Sequence, residues 1–195
     1  MARDRASRPE AEPQRLFVAV SIPPAAADAV GAAIEPWRET FPMARWVPRG
    51  NWHVTLAFLG STYPRLVWWV QGQLAEVAER TSPIQTRVRG LGAFPSAGRA
   101  RVLWAGLDDD PGAIAALAGA ARDALAREFP PETRAFSAHL TVARSDPALV
   151  LPSAFAQTPL ESDRFKVDSL ALMRSQARRT APIYERVAIF PLGSG

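Results

Sequence analysis

The chain contains only two histidines, and both occur in the same short pattern. His53 lies in the sequence His-Val-Thr-Leu-Ala, and His139 lies in His-Leu-Thr-Val-Ala. One copy of such a short pattern would be weak evidence, because a lone histidine on a strand is usually a satisfied structural residue. Two copies that include every histidine of the chain indicate two related halves of one site.

The alternation of a β-strand decides which side chains of each pattern share a face. His53 and Thr55 lie on one face of such a strand, and the apolar residues next to them lie on the other. The same alternation places His139 and Thr141 together. The apolar faces can enter a core, so the two polar faces are expected to line a common groove between two lobes.

Two imidazoles and two hydroxyls in one groove suit a displacement at phosphorus. A neutral imidazole can take a proton from an attacking water, while an imidazolium gives a proton to the departing oxygen. Both forms exist near neutral pH, because the ordinary pKa of histidine is about 6.5. The hydroxyls can hydrogen-bond the non-bridging oxygens, where negative charge gathers. Two merely structural histidines remain the alternative.

The composition excludes several other chemistries. The chain has no cysteine, which removes disulfides, thiolate nucleophiles and cysteine-bound metals. The acidic cluster at residues 108–110 precedes Pro111 and a helical pattern, so helix capping explains it better than metal binding. We therefore expect no metal and no cofactor. The net charge of +4, carried mainly by arginine, is compatible with an anionic substrate.

The distribution of apolar residues indicates a cytoplasmic protein. No apolar run approaches the length that spans a membrane, and residues 1–14 are polar and lack the apolar stretch of a secretory signal. We predict that residues 1–14 form a flexible N-terminal tail and residues 15–195 a single bilobal domain. We expect this protein to be a monomer without a membrane partner.

The elements that must position the histidines mix strands and helices without strict alternation. The predicted strands are residues 15–23, 52–59, 84–91, 101–107, 137–144, 165–174 and 184–190. The predicted helices are residues 24–41, 66–80 and 111–127, with a hairpin loop at 92–99 and an irregular segment at 146–159. This arrangement favours an α+β fold with antiparallel sheets.

Beyond the two patterns, most of the chain resembles the RNA 2′,3′-cyclic phosphodiesterases of bacteria and archaea. These are also called 2′-5′ RNA ligase-like proteins and belong to the two-histidine (2H) phosphoesterase superfamily. Residues 51–60 (NWHVTLAFLG) are similar to the first motif of the family, and residues 139–144 (HLTVAR) to the second. Residues 92–95 (GAFP) and 101–106 (RVLWAG) resemble its central hairpin.

The resemblance implies the bilobal, LigT-like α+β fold, with two pseudo-symmetric lobes of antiparallel sheet, helices outside and a central groove. It also implies hydrolysis of RNA 2′,3′-cyclic phosphate ends to 2′-phosphomonoesters without a metal. In that scheme His53 is the proton donor and His139 the proton acceptor. Thr55, Thr141 and Arg144 hold the phosphate.

One feature of the second motif conflicts with a regular strand. Arg144 has the opposite parity to His139, so it can reach the phosphate only if the strand ends, twists or bulges near Ala143. Trp46 and Phe58 are further candidates, for stacking on a nucleobase at the edge of the groove. Core packing is the favoured interpretation of both, since Phe58 has the parity of the apolar face.

Two other functions remain open on the sequence. The same site can join RNA ends through a 2′-5′ linkage when a ribose hydroxyl, rather than water, attacks the cyclic phosphate. A non-catalytic RNA-binding module that has kept the fold is the alternative from a different class of protein, and the two intact motifs argue against it.

Overall fold

A computed structural model describes residues 12–109, 111–130, 132, 134–178 and 182–193. Most of the predicted N-terminal tail, residues 1–11, lies outside this range. The first strand begins at Gln14, one residue before the predicted start of the domain.

Strands predominate in the part of the chain that the structure describes. The elements are β1 (Gln14–Val20), α1 (Pro24–Thr40), β2 (Arg45–Trp46), β3 (Val54–Thr62), α2 (Pro64–Glu79), β4 (Ile84–Thr86), β5 (Val88–Phe94), β6 (Ala100–Leu107), α3 (Ala113–Leu125), β7 (His139–Leu149), α4 (Ser153–Ala156), β8 (Phe165–Val167), β9 (Ser169–Gln176) and β10 (Ile183–Pro191).

Two of the predicted strands are each divided in the structure. The segment 84–91 breaks at Arg87 into β4 and β5, and the segment 165–174 breaks at Asp168 into β8 and β9. β4 and β8 pair with each other in a separate two-stranded sheet, while β5 and β9 belong to the large sheet. The prediction failed there because one residue between two apolar stretches is enough for the chain to change sheets.

Two of the predicted strand ends were also wrong. Residues 92–94 continue β5 rather than begin the hairpin loop, and β7 runs on to Leu149 through the segment predicted to be irregular. β6 explains both, because it pairs with β5 as far as Phe94 on one side and with β7 as far as Leu149 on the other.

The large sheet has eight antiparallel strands, seven of which follow the order β10-β9-β1-β3-β7-β6-β5, with β2 paired to β7. Its centre is the contact between β3 and β7, where Val54 pairs with Leu140. These two residues occupy the same position in the two histidine motifs. The sheet therefore consists of two related lobes joined at a pseudo-twofold axis, and the predicted α+β fold is confirmed.

The helices cover one face of this sheet and leave the other open. α2 packs against β9 and β10, and α3 packs against α2 and β3. Under the other lobe, α4 lies against β5 and is tied to α1 by Trp37, whose ring is 5.2 Å from that of Phe155. No helix in the described ranges is long and apolar enough to cross a membrane.

The capping predicted for the acidic cluster is confirmed at Asp109. Its two carboxylate oxygens accept the backbone N–H groups of Ile114 and Ala115, at 2.7 and 2.9 Å. A carboxylate in this place satisfies donors that the first turn of α3 leaves free, and its charge complements the helix dipole. The cap fixes the start of the helix that packs beneath β3.

Each of the two motif strands contains a β-bulge at the same position. Ala19 and Val18 of β1 pair with Thr55 and Ala57, which leaves Leu56 as an extra residue in β3. Val142 is the corresponding extra residue in β7, because Trp104 and Leu103 pair with Thr141 and Ala143. A bulge reverses the alternation of the residues that follow it.

The carbonyl group of each bulged residue accepts a hydrogen bond from a donor outside the strand pair that the bulge interrupts. Arg122 of α3 donates from Nε to the oxygen of Leu56 at 2.9 Å, and the backbone N–H of Val47 donates to the oxygen of Val142 at 2.9 Å. A buried carbonyl without a partner costs about 1–3 kcal/mol. These donors therefore stabilise both bulges.

We expect Arg122→Met to destabilise the protein by about 2 kcal/mol, because the carbonyl of Leu56 loses its charged donor while the aliphatic volume is kept. Urea unfolding followed by circular dichroism measures this loss. Arg127→Met is the matched control, since the Arg127 side chain is 79% exposed and pairs only with Glu128 in the described part of the chain. The control should stay within about 0.5 kcal/mol of the wild type. Equal losses in the two variants would contradict a specific role of Arg122.

Candidate functional site

The contact between β3 and β7 places both histidine motifs on the open face of the sheet. Val54 and Leu140 are fully buried on the side of the helices. Their neighbours in each strand point the other way and are only partly buried. His53, Thr55, His139 and Thr141 thus come together around the pseudo-twofold axis, on a surface that we call the histidine face.

Both histidines are held in the same tautomer by the backbone. Nδ1 of His53 lies 2.7 Å from the carbonyl oxygen of Asn51, and Nδ1 of His139 lies 2.7 Å from that of Ser137. A carbonyl can only accept, so the hydrogen of each neutral imidazole is on Nδ1. The Nε2 atom of each imidazole is left as a proton acceptor. Oγ1 of Thr55 lies 3.1 Å from Nε2 of His53.

Each imidazole packs against a pair of aromatic rings that also contact each other, and the repeated motifs do not indicate these contacts. The ring of His53 is 4.8 Å from Phe17 and 5.1 Å from Tyr184. The ring of His139 is 5.0 Å from Phe94 and 6.3 Å from Trp104. These rings come from four other strands of the same sheet, β1, β10, β5 and β6, and all four lie outside the motifs along the chain. They limit the rotation of both imidazoles.

One glycine of the second lobe makes room for this packing. A Cβ atom at Gly92 would lie 2.2 Å from the indole of Trp104. The Trp104 ring can therefore lie over β5, beside His139, only because position 92 has no side chain. This contact is a physical reason for the glycine of the GAFP segment.

Burial lowers the pKa of both histidines below the ordinary value, and it is the largest cause in each case. The backbone carbonyl groups act in the opposite direction and raise the pKa. The positive charge of Arg144 lowers the pKa of both imidazoles, and His139 lowers that of His53 further. In the free protein both imidazoles are therefore neutral to a lower pH than in an unfolded chain.

Arg144 lies on the histidine face because of the bulge at Val142. Thr141 pairs with Trp104 and Arg144 pairs with Val102, and residues 102 and 104 of β6 share a face. The charge of Arg144 acts on His53, His139 and Tyr184, so the guanidinium is within electrostatic range of all three. One extra residue therefore reverses the parity that a regular strand would give to Arg144.

The structure exposes one of the two candidates for base stacking, Phe58, and packs the other, Trp46, against the core. Phe58 follows the bulge at Leu56, pairs with Phe17 and is 57% exposed, so the expectation that it packs in the core was wrong. Trp46 packs against the core as expected. Its indole N–H donates to the carbonyl of Phe41, and the guanidinium of Arg38 lies over its ring at 5.1 Å. Phe58 remains a candidate for base stacking, whereas Trp46 has its polar atom and one ring face occupied.

The acidic residues that the structure describes form no metal centre. Within the ranges that the structure describes, no three histidine, aspartate or glutamate side chains are grouped closely enough to hold an ion. Arg144 is the charged side chain whose electrostatic field acts on both histidines, and it is a cation. The site is therefore suited to an anion.

Comparison with known proteins places this geometry in a family. Residues 23–179 match the model of the 2′-5′ RNA ligase superfamily. The RNA 2′,3′-cyclic phosphodiesterase of Aquifex aeolicus is 30% identical over 156 residues, which cover 77% of this chain and 83% of that protein. The relative of the same name from Geobacillus stearothermophilus is 31% identical over 90% of this chain, and the match spans 56% of its length.

Solved structures with the same fold cover almost the whole chain. The protein TT0787 of Thermus thermophilus has a TM-score of 0.76 and 28% identity, covering 92% of this chain and 98% of that one. LigT of Escherichia coli, in a crystal structure with phosphate, has a TM-score of 0.71 and 26% identity over 94% of this chain and 100% of that one.

Arg144→Gln should raise the pKa of both His53 and His139, because it removes a positive charge that disfavours both imidazolium forms. Proton–nitrogen NMR of the imidazoles measures this directly, since the chain has only two histidines and one variant assigns both. Arg101→Gln is the control, because Arg101 is paired with Asp146 on the neighbouring strand. Unchanged titrations in Arg144→Gln would contradict the orientation of its guanidinium.

Proposed function

The chain belongs to the 2′-5′ RNA ligase superfamily, and from that premise we propose that it hydrolyses the 2′,3′-cyclic phosphate at the end of an RNA. The observation that carries this proposal is the pair of Nε2 atoms on one open face beside Arg144. Curated relatives with about 30% identity are named RNA 2′,3′-cyclic phosphodiesterase.

The proposed reaction is a displacement at phosphorus with two proton transfers. Nε2 of neutral His139 accepts a proton from water as the water oxygen attacks phosphorus. The bond from phosphorus to the 3′-oxygen breaks, and protonated His53 gives its Nε2 proton to that oxygen. The products are a 2′-phosphomonoester and a free 3′-hydroxyl. Proton transfers of this kind contribute about 10²–10⁴-fold to the rate.

Thr55, Thr141 and Arg144 are proposed to bind the non-bridging oxygens. The hydroxyls donate hydrogen bonds where charge gathers, and the guanidinium offers a planar pair of donors to the phosphate. The substrate anion also raises the pKa of His53, because it offsets the positive charge of Arg144. Binding of the phosphate thereby prepares the proton donor that the free protein holds neutral.

A synthetic RNA with a 2′,3′-cyclic phosphate end, incubated with a chelator, tests this function. The wild-type protein should open the ring to the 2′-phosphate, and His53→Gln and His139→Gln should each slow opening by about 100-fold or more. Thermal unfolding of the two variants checks that they are folded. Full activity in either variant would rule out the two-histidine mechanism.

Phe58 is proposed to stack on the nucleobase next to the cyclic phosphate. It occupies in the first lobe the place that Arg144 occupies in the second, each five residues after its histidine. Stacking on an aromatic side chain is worth about 1–3 kcal/mol per base. The exposed ring is therefore suited to the base, while the cation of the other lobe is suited to the phosphate.

Phe58→Ala should raise KM for a cyclic-ended dinucleotide by about 5- to 150-fold, which is the loss of one stacked base, and change kcat little. Steady-state kinetics measures both parameters. Trp68→Ala is the control, because Trp68 is an aromatic ring on α2, 82% exposed, on the helix side of the sheet. A KM that does not change in Phe58→Ala would remove Phe58 from the site.

Joining of RNA ends through a 2′-5′ linkage remains the second candidate, since the family model carries that name. Adding an RNA with a free 5′-hydroxyl and analysing the products separates joining from hydrolysis. Tight binding without turnover of any cyclic phosphate would support a non-catalytic RNA-binding module. A monomeric state and a cytoplasmic location stay predictions.

A further inference from the structure

Tyr184 lies on the histidine face, although no motif singles it out. It pairs with Ser175 of β9, which pairs in turn with Arg15 of β1, two residues before Phe17. The alternation of β1 thus gives Tyr184 the same face as Phe17 and His53. Its ring stands edge-on to the imidazole of His53, with 5.1 Å between centroids and 87° between planes.

The other lobe contains an almost identical contact without a hydroxyl. Phe94 stands edge-on to His139, with 5.0 Å between centroids and 82° between planes. A phenyl ring is therefore sufficient to pack against a motif histidine in this fold. The hydroxyl of Tyr184 is an addition that the packing does not require.

The surroundings of that hydroxyl leave it available to a ligand. Among the residues that the structure describes, the hydroxyl of Tyr184 has no hydrogen-bond partner, and its ring is partly buried. Burial raises the pKa of Tyr184 and the charge of Arg144 lowers it, so the phenol lies within electrostatic range of that guanidinium. A phenol with a raised pKa stays protonated near neutral pH and can donate a hydrogen bond to an anion.

We propose that Tyr184 is a substrate-contacting residue, whose ring orients His53 and whose hydroxyl donates a hydrogen bond to a non-bridging oxygen of the phosphate beside Arg144. This inference rests on the proposed function, because it assigns an additional donor to the same phosphate. The lobe of His53 thereby has a hydroxyl that binds phosphate where the lobe of His139 has only the phenyl ring of Phe94.

Tyr184→Phe separates the two roles of the residue. It keeps the ring, so the imidazole signals of His53 should stay as in the wild type. It removes one hydrogen bond to a charged group, so kcat/KM for a cyclic-ended RNA should fall by about 10-fold or more. Tyr63→Phe is the matched control, because Tyr63 is the other of the chain's two tyrosines and its hydroxyl makes no capping hydrogen bond to α2. It should leave kcat/KM unchanged.

Binding of inorganic phosphate provides a second measurement that does not depend on turnover. Phosphate should shift the NMR signal of the Tyr184 ring carbon that bears the hydroxyl, leave that of Tyr63 in place, and bind about 10-fold more weakly to Tyr184→Phe. Equal kcat/KM and equal phosphate affinity in Tyr184→Phe and the wild type would overturn the inference. A wild type that binds phosphate but opens no cyclic end would overturn the proposed function alone. A wild type that does neither would overturn both.

Discussion

The antiparallel contact between Val54 and Leu140 is the constraint on which the site depends. It joins the two lobes at equivalent residues, and it fixes which side chains of both strands face the helices. Alternation has a period of two, so a slip of one residue in either strand would turn its histidine into the core. Because both residues are fully buried, the hydrophobic free energy of the two lobes opposes such a slip.

The two bulges extend this constraint to the ends of the motifs. Without the extra residue at Val142, Arg144 would face the helices, where an arginine would have to be desolvated. Without the extra residue at Leu56, the large ring of Phe58 would enter the core. Since the carbonyls of both bulged residues have donors of their own, the interruptions cost little hydrogen bonding and place two more side chains on the histidine face.

The sequence was sufficient to predict the fold class, the strands of both motifs and the common face of His53, Thr55, His139 and Thr141. These features follow from local periodicity and from a repeated pattern. The bulges could not be predicted in the same way, because a bulge appears only when the register of the partner strand is known. At each bulge two apolar residues in succession, Leu56-Ala57 and Val142-Ala143, are both buried, which a regular strand with one buried face does not allow. The rings of Phe17 and Tyr184 were missed since their place depends on pairing between distant strands.

The fold makes the two halves of the site equivalent, whereas the proposed reaction needs one histidine as acid and the other as base. The proposed in-line displacement needs a base and an acid on opposite sides of phosphorus, and two histidines related by a twofold axis are placed to supply them. The axis cannot decide which histidine faces the leaving oxygen, because both are held in the same tautomer by the same kind of backbone bond. Residues that differ between the two lobes must therefore determine which histidine faces the leaving oxygen. Two such differences on the histidine face are Phe58, where the second lobe has Arg144, and Tyr184, where the second lobe has Phe94 against its histidine. In the proposed reaction, an RNA end that placed its base against Phe58 and its phosphate against Arg144 would bind in only one direction, and that direction would assign the roles of acid and base.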